Sequence, residues 1–451
     1  MADTACAVST ESSRWHGPVL AALCLAMLSS AGGCAAIARE AIAWQYAAGG
    51  ATGPTGKLGE TRITLTQAWH NPDATGPEKI ELTDEQAGET LVGTAKGRFV
   101  ELGYPEGITR GTAGQVVRVL DNAIAHVGKE LGLDIAMRLR LTMVRLDAWP
   151  KRFRYSATVT LREESLAFAL PFVGRSPSPW DLYTDEQPFS DLVGRYVHEL
   201  VEVQLIAPWH RPSAMMDCDA SYSWFFSGQV IFGTRWFRDG FANYGGRLVS
   251  EAVLAQFRAI EPEWRFPMAF CGHKTPLADL AAAGTAIFDW HQYQDDVDHY
   301  DACLGLFLLL EQRYGRSTIR RILEEMGELK RPDGPAIERV FDRVLETSLR
   351  RLVRQFTFPP LGLQKIEQDR QGLKILEVGR PESVAARAGV QAGDVIIAID
   401  GQRPADLVGI ELAVLAAIDR GAEAIACTVR RDGATVELLL ELRADGETDI
   451  G

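Results

Sequence analysis

Three observations predict an α+β fold for this chain. Short alternating runs with frequent turn residues fill residues 60–110, and apolar residues at helical spacing dominate 111–356. Beyond Pro359-Pro360 the pattern returns to short strands around one main helix. The 451 residues suffice for two or three domains with filled cores. The formal net charge of -13 argues against a nucleic-acid partner, which needs clustered Lys and Arg.

Residues 1–38 read as a leader or anchor. Pro18 to Ala38, PVLAALCLAMLSSAGGCAAIA, is apolar or small throughout, and about 20 such residues span a bilayer. Ser29 to Gly33 before Cys34 has the small-residue character of an export signal's cleavage site. Ala31-Gly32-Gly33-Cys34 resembles a bacterial lipoprotein box, with Ala where Leu is usual. The segment ahead of the apolar run holds Asp3, Glu11 and Arg14 and lacks the usual positive charge. The expectation is export to the cell envelope, with membrane attachment through a lipid on Cys34 or through residues 18–38.

Residues 39–59 form a linker, its Gly49–Gly59 stretch being rich in Gly, Thr and Pro. Strands are expected within 60–110, as in TRITLTQAW. From Ala113 to Leu131, the residues Val116, Val117, Leu120, Ile124, Val127 and Leu131 recur at helical spacing, and Gly132 suits a C-cap. Strand-like runs follow at 139–146, 155–161 and 166–173, the last placed at a sheet edge by Pro171. Helices are expected at 189–206, from about Trp236, and at 249–260, 300–314, 317–328, 336–345 and 348–356.

Two segments carry the chemistry. Tyr196 to Glu202, YVHELVE, sets His198 and Glu202 four residues apart on one helical face, with Glu199 between them. Trp236 to Tyr244, WFRDGFANY, puts Asp239 at the head of another helix. A His-Glu-x-x-Glu string alone is weak, because exposed helices are rich in Glu. In sequence context the two segments resemble the gluzincin (thermolysin-like) peptidases, whose His-Glu-x-x-His helix supplies two zinc ligands and a general base. In that family a Trp-rich segment ending in Glu-Gly-Phe gives the third ligand, and Asp239-Gly240-Phe241 stands in its place. Tyr300, opening YDACLGLFLLLEQRYG, stands where the family's oxyanion-stabilising tyrosine stands, and Cys303 where Gly is usual. The resemblance therefore implies Glu199 and Tyr300 as catalytic residues, with His198, Glu202 and Asp239 as ligands of one divalent ion, zinc or a harder metal.

Two departures weaken that implication. Glu202 replaces a neutral ligand with an anionic one, and Asp239 is one methylene shorter than Glu. The set favours oxygen-loving ions and leaves a bound water less acidic. Two readings stay open: a degenerate peptidase homologue that binds polypeptide, or an active metal-dependent peptidase using Glu199 as base. In the inert version Glu202 and Asp239 pair with arginines such as Arg235 and Arg238.

Residues 357–446 give the sharpest signature. Glu382 to Gly401, ESVAARAGVQAGDVIIAIDG, closely resembles a PDZ domain, with Gly389, Gly393 and Gly401 at positions that need positive φ. The resemblance implies that Leu361, Gly362 and Leu363 form the loop that captures a peptide's terminal carboxylate. Gln364 begins the edge strand that accepts the peptide, and Val408 to Ile418 form the helix facing it. Partners would be polypeptide C-termini. A PDZ domain behind such a core is typical of the glycyl aminopeptidase family within the gluzincins.

Other candidates are weaker. His291, Asp295, Asp296, Asp298 and His299 form an acidic loop that could hold a cation. Cys218 and Cys271 could pair in an exported protein, while Trp209, Trp224 and Trp236 suit a core or a groove wall. His210 and His273 carry no ligand spacing.

Overall fold

The computed structural model describes residues 63–67, 78–82, 91–135, 138–145, 165–172, 189–206, 235–260, 268–289, 297–329 and 333–442. The expected leader, linker, strand at 155–161 and residues Trp209, His210, Cys218 and Trp224 lie outside them. The architecture is mixed α+β. Strands β1 (Ile63–Gln67) and β2 (Glu78–Leu82) pair as an antiparallel hairpin. Strands β3 (Leu91–Lys96), β4 (Val100–Pro105), β5 (Arg138–Arg145) and β6 (Ser165–Phe172) form one mixed sheet in chain order. β3 and β4 are antiparallel, whereas β4, β5 and β6 run parallel. Pro171 lies on β6, at the sheet edge, where a missing N–H is tolerated.

Helix α1 (Arg110–Leu131) makes the crossover from β4 to β5. It begins three residues earlier than hydrophobic spacing alone suggested, because the Thr109 hydroxyl caps the N–H of Thr112 at 3.0 Å. It ends at Gly132, whose φ of 67° closes the cap onto the Gly128 carbonyl. Asp121 on this helix accepts hydrogen bonds from the backbone N–H groups of Arg98, Phe99 and Val100 (2.6, 2.9 and 3.0 Å). One carboxylate thereby fixes the β3–β4 turn to the helix beneath it.

The helical layer comprises α2 (Phe189–Ile206), α3 (Arg235–Ile260), α4 (Pro276–Ala283), α5 (Val297–Tyr314), α6 (Arg316–Gly327), α7 (Gly334–Leu345) and α8 (Leu349–Gln355). Two differences from expectation are instructive. Helices expected from Trp236 and at 249–260 are one 26-residue helix running through Gly245-Gly246. Glycines cost about 1 kcal/mol each in a helix interior, but here they admit close neighbours. A Cβ on Gly246 would lie 2.4 Å from the Gly194 carbonyl, and one on Gly245 would lie 3.0 Å from Val201. Helix α4 was missed because its eight residues, PLADLAAA, are nearly all apolar or small and show no periodic face. Trp236 settles in the core, edge-on to Phe288 and Phe341.

The C-terminal unit is a five-stranded antiparallel sheet of β7 (Leu363–Gln368), β8 (Leu373–Val378), β9 (Val395–Ile399), β10 (Ala424–Arg431) and β11 (Ala434–Glu441). The short α9 (Val384–Arg387) and the longer α10 (Leu407–Asp419) accompany it. Gly389, Gly393 and Gly401 have φ of 79°, 94° and 73°, as the turn residues require. Strand β7 is an edge of this sheet.

α10 belongs to two cores. Leu407, Ile410, Val414 and Ala417 face the C-terminal sheet, while Val408 and Leu415 join the core of the larger unit. Polar groups complete that seam. The buried Arg247 of α3 donates through Nη2 to both carboxylate oxygens of Asp406, at 3.1 and 3.0 Å, and Asp406 also caps α10 through the N–H of Gly409. Glu411, fully buried, accepts the N–H groups of Leu277 (2.9 Å) and Ala278 (3.1 Å) at the start of α4. Burial pushes the Glu411 carboxyl up to about 8, with nearby Asp279 adding to the rise and the two N–H groups and Arg247 opposing it.

That shift has a definite sign. Glu411 binds a proton in the folded chain up to about pH 8, but releases it from about 4.5 when unfolded. Stability should therefore fall as pH rises between those values and level off above them. Comparing wild type with Glu411→Gln by urea unfolding across this range checks it: the variant should show a flatter slope, and identical slopes would contradict the assignment.

Candidate functional site

Helices α2 and α3 lie side by side, held at Gly194 and Gly246 as described, so the two motif segments face each other across the seam. His198 stands on α2 with its side chain 12% exposed, and Asp239 stands in the first turns of α3 with 7% exposed. Their nearest approach is 3.9 Å, from His198 Nε2 to Asp239 Oδ1. That exceeds a hydrogen bond. The other ring nitrogen, Nδ1, is buried and has no hydrogen-bond partner among the described residues.

The backbone of α2 carries Glu199 and Glu202 through the same helix, but their side chains lie outside the described residues. Among the described residues, no group of three His, Cys, Asp or Glu side chains is placed to hold a metal. Arg238 is buried next to Asp239, and the Arg235 side chain is outside the description.

Tyr300 lies half-buried in the first turn of α5. Its carbonyl accepts a hydrogen bond from the Asn243 side chain at 3.2 Å. Asn243 sits one turn beyond Asp239 on α3 and is buried, so it ties α5 to the helix that carries Asp239. The sequence reading passed over it. The only available signal was its place four residues from both Asp239 and Arg247 on one helical face. Asp301, next to Tyr300 and also buried, pairs with Lys274 at 3.2 Å.

Close approach of α3 and α5 depends on Gly240. A Cβ there would sit 2.8 Å from the Cys303 Cβ and 2.9 Å from its carbonyl oxygen. Cys303 is fully buried at this crossing. Of the acidic cluster ahead of α5, His299 is half-buried in the first turn, and the side chains of His291, Asp295, Asp296 and Asp298 are outside the description. His273 is exposed in a turn, and Cys271 is half-buried with φ of 60°.

The C-terminal unit holds a second candidate site in residues 360–363. The carbonyls of Pro360, Leu361 and Gly362 accept the N–H groups of Val384 (3.0 Å), Ala385 (2.9 Å) and Gly379 (2.6 Å). In a planar trans peptide the N–H points opposite the carbonyl. Three inward carbonyls therefore turn the N–H groups of Leu361, Gly362 and Leu363 the other way. Among the described residues no acceptor takes the N–H of Leu361 or Gly362. Gly362 has φ of 77°, and a Cβ there would lie 2.1 Å from the Ser383 hydroxyl, so only glycine fits. Gln364 follows, exposed on edge strand β7.

Deeper in this unit Asp394 is a structural strut. It accepts the Gln391 N–H at 2.8 Å and a forked pair from Arg431 at 2.8 and 2.7 Å. Burial would raise its carboxyl, yet Arg431 and the Gln391 N–H outweigh that and hold it below the usual range.

Residues 375–423 match the family model of the PDZ domain, so the C-terminal unit contains a PDZ domain. No curated protein matches the chain. Among solved structures, the HtrA3 PDZ domain bound to a phage-derived ligand (FGRWV) is 25% identical over 17% of this chain and 67% of its own, with a TM-score of 0.15. The HtrA-type protease AlgW S227A with a decapeptide is 23% identical over 21% of this chain and 32% of its own, with a TM-score of 0.17. An aminopeptidase N family protein from Idiomarina loihiensis is 12% identical over 85% of this chain and 73% of its own, with a TM-score of 0.35.

The Gly240 crossing can be tested directly. Gly240→Ala should destabilise the protein by about 1–3 kcal/mol through overpacking, read from denaturant unfolding. Wild-type stability would show that α3 and α5 are not in such contact.

Proposed function

We propose that this protein binds polypeptides through their free C-termini, and that its larger domain is a peptidase-like body whose metal site has degenerated. The observation that carries the reading is the 360–363 loop, in the same unit as the PDZ match at 375–423: the carbonyls of Pro360, Leu361 and Gly362 are engaged from behind, which turns the following N–H groups outward beside an edge strand. Such N–H groups suit a carboxylate, and the open edge of β7 suits an added strand. Leu361, Gly362, Leu363 and Gln364 are the contact residues on this reading. A location in the cell envelope, with attachment through Cys34 or residues 18–38, is part of the proposal and rests on the leader sequence. No described helix is long and apolar enough to cross a membrane.

The degenerate state of the larger domain rests on the two altered ligands. A second reading, an active metal-dependent peptidase, is favoured by the His198–Asp239 approach. Two donors bound to one ion at about 2.0–2.2 Å can stand no more than about 4.4 Å apart, and 3.9 Å falls inside that limit. His198, Glu202 and Asp239 would hold the ion, which would supply Lewis-acid chemistry. Glu199 would take a proton from a nucleophilic water, and Tyr300 would donate to the developing oxyanion.

Two experiments divide these readings. A peptide selected from a C-terminal display library should lose tenfold or more in affinity, about 1.4 kcal/mol, when its carboxylate is amidated or Gly362 is replaced by Val. Equal binding of acid and amide would refute carboxylate capture. For the larger domain, metal content and chelator-sensitive peptide cleavage are measured with Glu199→Gln as control. The degenerate reading expects no cleavage that depends on Glu199, whereas stoichiometric metal with Glu199-dependent turnover would establish the enzyme.

A further inference from the structure

Asp239, Asn243, Arg247 and Glu251 stand four residues apart and form a single polar stripe along α3. Each described member reaches a different partner. Asp239 approaches His198, Asn243 holds the start of α5 at the Tyr300 carbonyl, and Arg247 clasps Asp406 at the head of α10 while also meeting Glu251 at 3.0 Å. Eight residues of helix separate Asp239 from Arg247, about 12 Å of rise. The stripe therefore runs from the His198 site to the helix that borders the PDZ groove.

We propose that this stripe is a coupling element, through which the seating of α10 against the larger domain sets the packing of α3 at Asp239. The inference rests on the PDZ reading for the identity of the groove helix, and its test uses no peptide. Three features of the seam support it. The Arg247–Asp406 pair is buried on both sides, so loss of the Asp406 charge leaves Arg247 with only the half-exposed Glu251 to answer it. Glu411 anchors the same helix to the start of α4, which packs against α5. Val408 and Leu415 bury the intervening surface. A domain hung on a flexible tether would need none of these, and its movements would not reach α3. Here α10 cannot shift without pulling on Arg247, and α3 is buried along residues 236–250, with no slack to absorb the pull.

The test compares the full-length wild type with Asp406→Asn, which keeps a residue able to cap α10 but removes the charge facing Arg247. Hydrogen exchange by mass spectrometry should show the 236–246 segment exchanging at least tenfold faster in the variant, although the substitution lies in the PDZ domain. Acceleration confined to 404–419 would overturn the proposal and leave the seam as mere adhesion. A second readout uses the fact that residues 357–442 contain no tryptophan, whereas Trp236 is buried in the larger core. Alkylation of the buried Cys427 thiol reports opening of the PDZ domain, and tryptophan fluorescence reports the larger unit. In wild type both should change at one denaturant concentration, and in Asp406→Asn the Cys427 change should come first. Separate transitions in wild type, or coincident ones in the variant, would count against coupling. If Asp406→Asn does not fold, Val408→Ala trims the same seam and is read in the same way. Loss of carboxylate selectivity in the peptide experiment would refute peptide capture without touching this result.

Discussion

The structure depends on one constraint: α3 is buried along its first four turns, so polar side chains it carries there are costly unless neighbouring elements answer them. Apolar residues such as Trp236, Phe237, Phe241 and Tyr244 fill most of its circumference. Its glycines let α2 and α5 approach closely enough to exclude water. Among its buried polar residues, Asp239, Asn243 and Arg247 share one face. An unpartnered buried polar group costs a few kcal/mol; Asn243 and Arg247 are answered by hydrogen bonds from α5 and from the head of α10, and Asp239 stands 3.9 Å from His198 on α2. The helix thus decides where α2, α5 and α10 sit.

That arrangement separates two kinds of polar chemistry. Around Tyr244, Glu311, Arg316 and Glu130, hydrogen bonds of 2.7–2.8 Å join α3, α5, α6 and α1 in a network that serves assembly. Tyr244 is buried beside Glu311, which raises its hydroxyl well above the ordinary tyrosine range. It donates a proton in a hydrogen bond and does not ionise. At His198 and Asp239 the geometry differs: two potential donors stand apart by more than a hydrogen bond, and the far ring nitrogen has no described partner.

Much of this was legible in the sequence, for identifiable reasons. Regular periodicity placed α1, α6 and α7 within a few residues, because their buried residues recur at helical spacing between exposed ones, whereas α5 is buried throughout 301–310 and was legible from its long apolar run. The glycines of the PDZ signature fall at positive φ, a requirement that composition alone betrays. The approach of His198 to Asp239 was implied by the resemblance to the gluzincin peptidases and not by either motif alone. The expected break before 249 is absent, because Gly245-Gly246 lies inside one helix and lets it pack closely on α2. Arg247, Asp406 and Glu411 gave no signal. Their partners lie more than 130 residues away, and no local pattern distinguishes a buried Arg from a surface one.

The central claim is that the polar face of α3 joins the two ends of the molecule energetically. A double-mutant cycle on Asp239→Asn and Asp406→Asn, read by denaturant unfolding of the full chain, tests it most directly, because the two carboxylates share no contact of their own. The account predicts a coupling energy of at least about 0.5 kcal/mol. Effects that add to within about 0.3 kcal/mol would show that the two ends are independent, and that the stripe is no more than a series of separately satisfied side chains.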